Sequence, residues 1–178
     1  KKKKGARSYY PLFCTIAQTG QVLDFLHRSG NVHDSHGARD FILACIQAVR
    51  GVLPGVVIEV RMDSAFFSDE IVMALDDAKI EFTVSVPFER FVELKGKIER
   101  RKRWQRMGGE VSYFEEQWKP KVWDRRFRFL FIRTLAKRQQ KGPIQLDLFL
   151  PYEYGYDFKV VVTNKTLSPK KVVAFHEG

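Results

Sequence analysis

The sequence lacks most features of secreted, membrane-spanning and metal-clustering proteins. Its 178 residues include only two cysteines, Cys14 and Cys45, which lie in apolar surroundings without CxxC spacing. We expect both to be reduced and buried, as in a reducing cytoplasm, and the sequence supports no zinc site. The longest apolar runs, such as residues 129–132, fall far short of the ~20 residues that a membrane span needs.

Several sequence motifs that mark particular functional classes are also absent. The four lysines at positions 1–4 are not followed by an apolar segment, so they do not form a signal peptide. The sequence contains no Ser-His-Asp arrangement and no glycine-rich nucleotide-binding loop. Because it does not begin with methionine, we expect the chain to be part of a longer protein.

What is present is a globular composition with an uneven distribution of charge. Hydrophobic residues make up 44% of the chain and charged residues 29%, which excludes a disordered polyelectrolyte. Residues 1–88 hold ten Lys or Arg and ten Asp or Glu, out of totals of 31 and 21. Residues 89–178 therefore hold 21 basic and 11 acidic residues, which account for the whole net charge of +10. This asymmetry favours a polyanionic partner, most simply nucleic acid.

The first part of the chain predicts a β-hairpin followed by a helix. Alternation of apolar residues over 9–28, with turn chemistry at Gly20, is typical of a hairpin. Asp34 or Ser35 is then expected to cap a helix that continues through Val49.

A strand, a helix and another strand follow. Residues 56–62 form an almost continuous apolar run, which predicts a central strand covered on both faces. Ser68 or Asp69 is expected to cap a helix over 70–78, and residues 82–86 alternate as the next strand. The order of these elements predicts an α/β fold with a mixed sheet.

The composition changes after Phe88. We expect residues 91–107 to form a basic helix that is broken at Gly108. Alternation with period two then predicts three strands, at residues 122–132, 144–148 and 158–162. The second half of the chain is therefore predicted to be a largely antiparallel β insertion with a basic helical entry.

Asp63 is the residue best placed for chemistry. It follows the apolar run directly, and the carboxyl ends of strands in open α/β sheets are where ligand crevices form. The segment 64–67 leaves room for a substrate. A lone aspartate at this position can equally turn the chain or cap the next helix.

Four segments, in order and at suitable spacing, carry a resemblance to a known family. They are GARSYYPL at residues 5–12, QTGQVL at 18–23, RSGNVH at 28–33 and VRMDSAFF at 60–67. Together they resemble the DDE transposases of bacterial insertion sequences, closely over residues 5–86 and more loosely beyond. The chain departs from the family pattern at Ala65, where glycine is usual.

The resemblance implies an RNase H-like catalytic core of the retroviral-integrase superfamily. In such enzymes three acidic residues hold two divalent ions, Mg²⁺ or Mn²⁺, which stabilise the attacking and leaving oxygens during phosphoryl transfer. The implied reaction is DNA cleavage and strand transfer at the ends of an insertion sequence. On this match Asp63 is the second acid and a metal ligand, and Arg61 and Ser64 flank it to orient a phosphate or the carboxylate.

The other two acids of the family are expected outside this chain. The first Asp of the pattern would precede Lys1. The last is a Glu on a helix, and Glu177 is the only late candidate in this chain. We expect that helix not to have begun by Glu177, which places the last acid beyond it. The chain would then hold one third of an active site and be inactive alone.

The resemblance also implies a domain organisation. Residues 1–88 would be a partial RNase H-like core with a mixed sheet and flanking helices. Residues 89–165 would be the basic β insertion, and residues 166–178 a return segment toward the final catalytic helix.

The basic helix is the predicted DNA contact. Its cations surround one tryptophan, and the predicted contact residues are Lys95, Lys97, Arg100, Arg101, Lys102, Arg103, Trp104 and Arg106. Lys and Arg neutralise phosphates, and Trp104 is available to stack on an unpaired base. The alternative is a solvated helix face without a partner. We expect Trp118 and Trp123 to belong to the core of the insertion instead.

The implied partners are the terminal repeats of the element and the target DNA, with no membrane. The parent enzyme is expected to be a nucleoid-associated cytoplasmic protein of bacteria that works as a homodimer on paired ends. Three alternatives stay open: a catalytically dead DNA-binding remnant, a metal-dependent nuclease of the same fold, and a basic structural protein.

Overall fold

The computed structural model describes residues 9–30, 32, 35–136 and 155–178, which form two compact units. The first unit contains the described residues up to Val60, then Ala65–Glu81 and Gly178. The second contains Arg61–Ser64 and Phe82–Glu177. The strand predicted at 144–148 lies outside the described residues, as does Asp34.

Strands and helices are interspersed along the chain. In order they are β1 (Leu12–Ile16), β2 (Gln21–Leu26), α1 (Ala38–Val52), β3 (Glu59–Met62), α2 (Asp69–Asp77), β4 (Glu81–Ser85), α3 (Val92–Arg100), β5 (Gln105–Gly108), β6 (Val111–Trp118), β7 (Phe127–Leu135), β8 (Tyr156–Thr163) and α4 (Pro169–Glu177). In the described part of the chain, no helix is long and apolar enough to cross a membrane.

The predicted hairpin is confirmed. Strands β1 and β2 pair in antiparallel register from Leu12 opposite Leu26 to Ile16 opposite Gln21. Gly20 adopts a φ of 69° in the turn between them, a left-handed conformation that glycine reaches without a Cβ clash. Cys14 on β1 and Cys45 on α1 are free thiols, and Cys45 is buried as predicted whereas Cys14 is only half-buried. Burial raises the pKa of Cys45 to about 12, so this thiol stays protonated at neutral pH.

Helix α1 differs from its prediction at both ends. It begins at Ala38 after Gly37, whose φ is 70° and which offers no side-chain cap. Ser35 precedes the helix in a turn in which its carbonyl, rather than its hydroxyl, accepts from the N–H of Ala38. The predicted cap is therefore wrong. The helix also runs on to Val52, because a glycine near a helix end weakens the helix without stopping it.

Helix α2 confirms its prediction to within one residue. It spans Asp69–Asp77, and the hydroxyl of Ser68 accepts a hydrogen bond from the backbone N–H of Ile71 at 3.3 Å. This is the usual N-cap arrangement, which satisfies an otherwise unpaired donor of the first turn.

The second unit is built on a six-stranded sheet with the order β3-β4-β8-β7-β6-β5. Strands β4, β8, β7, β6 and β5 pair with their neighbours in antiparallel fashion. The whole is a mixed sheet with flanking helices, compatible with a partial RNase H-like core, as predicted. The predicted domain boundaries at residues 88 and 165 stay predictions.

One face of this sheet is aromatic. Phe131 stacks on Phe114 with ring centroids 4.3 Å apart, and Trp118 meets Phe129 edge-on at 5.0 Å. Trp118 also donates from its indole N–H to Glu93 of α3 at 3.1 Å, so α3 covers this face. Trp118 and Trp123 are both buried, which confirms that they belong to the core.

The opposite face is aliphatic and is covered by α4. Leu130, Ile132 and Val161 form a buried cluster with two residues of that helix, Val172 and Val173. All five side chains have less than 10% of their surface exposed. Strand β7 therefore presents alternate residues to two different cores, as the period of two requires.

Two predicted elements of the middle of the chain are corrected. The run 56–62 is not a central strand: only Glu59–Met62 is extended, β3 is the end strand of the described sheet, and Val57 is 82% exposed. An apolar run indicates strand character but does not fix a position in a sheet.

The predicted basic helix over 91–107 is also too long. Helix α3 ends at Arg100, and residues 105–108 form β5, which pairs with β6. Backbone pairing to β6 overrides local helix propensity there.

The end of the described chain is corrected as well. We expected no helix to have begun by Glu177, but α4 spans Pro169–Glu177. Pro169 suits the first helical position, where its missing N–H leaves no bond unmade.

Candidate catalytic site and nucleic-acid interface

Asp63 lies where the sequence places it, directly after the last residue of β3. Its side chain is exposed, and a short 3₁₀ turn over Ser64–Phe66 follows it. Ser64 is exposed beside it. The strand fixes the backbone on one side and the turn on the other, so the carboxylate is held at the end of the sheet and open to solvent.

Arg61, two residues before Asp63, contacts the last turn of α4. Its Nη1 donates to the backbone oxygen of Phe175 at 3.2 Å. This carbonyl belongs to the C-terminal turn of the helix, whose last oxygens have no partner within the helix. A cation also complements the negative end of the helix dipole. Arg61 therefore joins the end of β3 to the end of α4.

His176 joins the same turn of α4 to β4. Its Nε2 lies 2.8 Å from the hydroxyl oxygen of Ser85, and its Nδ1 lies 2.9 Å from that of Thr83. Thr83 is fully buried, and Ser85 and His176 are half-buried. Both ring nitrogens are thus used, which fixes the imidazole ring in position and in plane.

Charged neighbours act on His176. Burial lowers its pKa most, the cations Lys159 and Arg61 lower it further, and Glu177 opposes them. Glu177 itself pairs with Lys159, with the carboxylate oxygen 3.1 Å from the ammonium nitrogen. The imidazole is therefore neutral at pH 7, with one nitrogen as donor and the other as acceptor.

Sequence reasoning gave His176 no role. Its partners lie 91 and 93 positions away along the chain, so no local pattern connects them. A weak signal existed in β4, where the hydroxyl residues Thr83 and Ser85 alternate with buried Phe82 and Val84. Polar groups on a buried strand need hydrogen-bond partners, which predicts that a polar side chain packs on that face.

The predicted DNA contacts do not share one helix. They divide into three places: Lys95, Lys97 and Arg100 on α3; Arg101, Lys102, Arg103 and Trp104 in the link to β5; and Arg106 on β5. Four of these cations are exposed to solvent, namely Arg100, Lys102, Arg103 and Arg106. We call these four the exposed basic group.

The other members of the cluster have partners within the fold. Lys97 forms an ion pair with Glu116 of β6. Arg101 lies over the ring of Phe114 at 4.7 Å and donates to the backbone oxygen of Arg103 at 2.9 Å. Lys95 is half-buried.

Trp104 packs against the aromatic face of the sheet. Its ring meets Phe114 edge-on at 4.7 Å, and the guanidinium of Arg133 lies 4.5 Å from its ring centre. Its indole N–H donates to the backbone oxygen of Arg101 at 3.2 Å. Arg133 thus covers one face of the ring, while stacking on an unpaired base stays an untested prediction.

The described residues do not form a complete metal site. Among residues 9–30, 32, 35–136 and 155–178, no group of three or more His, Cys, Asp or Glu side chains is arranged to hold a metal ion. Asp63 offers a carboxylate, the donor type that Mg²⁺ and Mn²⁺ prefer. It fits as one ligand and does not complete a site.

Comparison with known proteins assigns the family. The family model described as "Transposase DDE domain group 1" matches residues 3–177. No curated protein and no solved structure matches the chain. The family match covers nearly all of the 178 residues and includes both the hairpin and the end of α4. The chain therefore belongs to the family of transposase DDE domains, group 1.

Proposed function

We propose that the chain is part of a transposase that cleaves DNA at the ends of an insertion sequence and transfers the cut strands to a target. The family implies an enzyme of the nuclease or transposase kind with DNA as its partner. The observation that carries the finer proposal is Asp63, an exposed carboxylate held at the end of β3.

In this proposal Asp63 is a ligand of a divalent ion, Mg²⁺ or Mn²⁺, as DDE transposases generally use. Such an ion, when bound, supplies positive charge to the oxygens around the reacting phosphorus. In the same proposal Ser64, which is exposed beside the carboxylate, donates its hydroxyl to a phosphate oxygen. Arg61 supports the end of the strand that precedes Asp63, because its guanidinium donates a hydrogen bond to the carbonyl of Phe175.

The proposed DNA surface comprises the predicted cluster, with the exposed basic group as its main contact. Cations that are open to solvent can neutralise phosphates and release counterions without breaking an internal ion pair. Lys97 and Arg101, which have partners inside the fold, contribute less in this view. We propose further that the parent enzyme acts as a homodimer on paired ends.

A second candidate is a DNA-binding remnant without chemistry. It is favoured by the fact that the described residues contain no group of three or more His, Cys, Asp or Glu side chains that could hold a metal ion. Such a protein would bind DNA in a salt-sensitive manner and would not respond to divalent ions.

A cleavage assay separates these functions. A protein that carries this chain is incubated with labelled DNA that bears the ends of its element, with and without Mg²⁺. We expect metal-dependent cleavage and a joined strand-transfer product, and Asp63→Ala should abolish both while DNA binding is largely kept. Cleavage without joining would indicate a nuclease, and binding without cleavage a remnant. Cleavage retained by Asp63→Ala would contradict the proposal.

A further inference from the structure

The last turn of α4 is bonded to neighbouring strands through consecutive residues. Phe175 accepts from Arg61 of β3, and the next residue, His176, bonds to two hydroxyls of β4. Since each bond joins a helix to a strand that is distant in sequence, the turn has one defined position on the sheet.

The bridge made by His176 is the most specific of these bonds. A neutral imidazole has one donor and one acceptor, and a hydroxyl can act as either, so both Thr83 and Ser85 are satisfied at once. Thr83 is fully buried, and leaving its hydroxyl unpaired would cost stability. The fold thus favours one ring orientation and one location of the helix end.

Strand β3 needs such support. It has four residues, and β4 is its one neighbour in the order of described strands. Its end bears Arg61, and Asp63 follows two residues later. The bond from Arg61 to Phe175 is a second attachment for this strand end, on the side of α4.

We propose that His176 is a positioning residue for Asp63: it fixes the last turn of α4 on β4, and that turn holds Arg61 and, through it, the strand end that carries the carboxylate. The role of His176 in holding this strand end in place follows from the contacts alone. Its consequence for DNA cleavage rests on the function proposed above.

The charges around His176 favour this role for its neutral form. Lys159 of β8 and Arg61 of β3 face the ring region as cations, and Glu177 of α4 is the opposing carboxylate, paired with Lys159. Two cations and burial together disfavour a charged imidazole. Neutral side chains that keep a donor and an acceptor should therefore replace it better than charged ones.

Amide hydrogen exchange tests the positional statement. Exchange is followed by mass spectrometry in peptides that cover residues 59–64, in the wild type and in three variants. His176→Phe keeps a ring and removes both bonds, Ser85→Ala removes one, and His176→Gln keeps a donor and an acceptor. We expect His176→Phe to speed exchange about ten-fold in this segment, the change expected from losing one or two hydrogen bonds.

The other two variants keep the test decisive if His176→Phe folds poorly. Ser85→Ala should give a smaller acceleration in the same segment, and His176→Gln should stay close to the wild type. The control is Phe129→Leu, a buried substitution on the aromatic face of the sheet, away from α4. Unchanged exchange at 59–64 in both His176→Phe and Ser85→Ala would overturn the proposal, as would equal acceleration by Phe129→Leu.

Cleavage is measured in the same variants to separate the two proposals. If the wild type cleaves DNA in an Asp63-dependent way, His176→Phe should lower the rate of cleavage and His176→Gln should restore most of it. If the wild type does not cleave, the proposed function fails, while the exchange data still decide whether His176 positions this segment. Cleavage at the wild-type rate in His176→Phe, despite faster exchange, would overturn the consequence for Asp63.

Discussion

Single side chains differ in how far the sequence reveals them. The position of Asp63 and the cap formed by Ser68 could be predicted because both depend on adjacent residues: the end of a strand, and the first turn of a helix. His176 and Arg61 could not, because their partners lie 91 or more positions away. What local sequence determines is where a residue lies on its element, whereas long-range packing determines what the residue touches.

His176 makes the stability of the protein depend on pH. Its pKa in the folded state lies below the ordinary value of 6.5, mainly because of burial and the cations Lys159 and Arg61. As the pH falls below 6.5, the unfolded chain binds a proton that the folded chain does not, so the free energy of unfolding decreases. The loss ends once the pH is below the folded pKa.

Denaturant unfolding from pH 8 to pH 5 measures this effect. We expect the wild type to lose more stability over this range than His176→Gln, which has no titrating group at that position. Near pH 8 the two proteins should show the same slope, because the imidazole is then almost entirely neutral in both the folded and the unfolded state. If the free energies of unfolding of the two proteins changed in parallel down to pH 5, a lowered pKa of His176 in the folded state would be contradicted.

At the scale of elements, most were predictable and their boundaries were less so. The pair Gly108-Gly109 was predicted to break a helix, but Gly108 is the last residue of β5 and Gly109 lies in the turn to β6. A pair of glycines can end a helix or allow a tight turn between two strands. Here the pairing of β5 with β6 selects the turn. The same competition ends α3 at Arg100 rather than at residue 107.

Gly109 gives a test of this turn. Its φ is 54°, and a Cβ built there meets nothing within 4 Å, so only backbone conformation opposes a larger residue. We expect Gly109→Ala to lower the free energy of unfolding by about 1 kcal/mol. Gly51→Ala is the matched control: that Cβ also meets nothing within 4 Å, and the residue lies in α1. This substitution should stabilise by about 0.5–1 kcal/mol, so an equal sign for both would contradict the turn assignment.

For the whole molecule, the α/β class and the mixed sheet followed from the order of elements, whereas the strand order did not. Strand β8 pairs with both β4 and β7, and neither pairing has a local signature. The charge asymmetry was visible in the sequence, but the division into exposed and internally paired cations was not. Lys97 and Arg103 are near neighbours in sequence, yet Lys97 is ion-paired with Glu116 and Arg103 is exposed.

The exposed basic group predicts how DNA affinity depends on salt. Lys102→Gln with Arg103→Gln should reduce the slope of log affinity against log salt by about 2, since each phosphate contact contributes about 0.9. The control removes the same charge elsewhere, through Arg39→Gln with Lys79→Gln, two exposed residues of the first unit. Fluorescence anisotropy at several salt concentrations measures both slopes. Equal slopes for the two double variants would show that net charge, and not this surface, binds DNA.

The central claim is that Asp63 is a metal ligand in a DNA-cleaving enzyme, and a metal-specificity switch at this residue tests it most directly. Cleavage is measured for Asp63→Cys in Mg²⁺ and in Mn²⁺, with Asp69→Cys as the control, since Asp69 is an exposed carboxylate on α2. A thiolate is a poor ligand for Mg²⁺ and a better one for softer ions. We predict that Asp63→Cys is inactive in Mg²⁺ and recovers cleavage in Mn²⁺, while Asp69→Cys behaves as the wild type in both. Full activity of Asp63→Cys in Mg²⁺, or equal loss in both metals, would contradict the account.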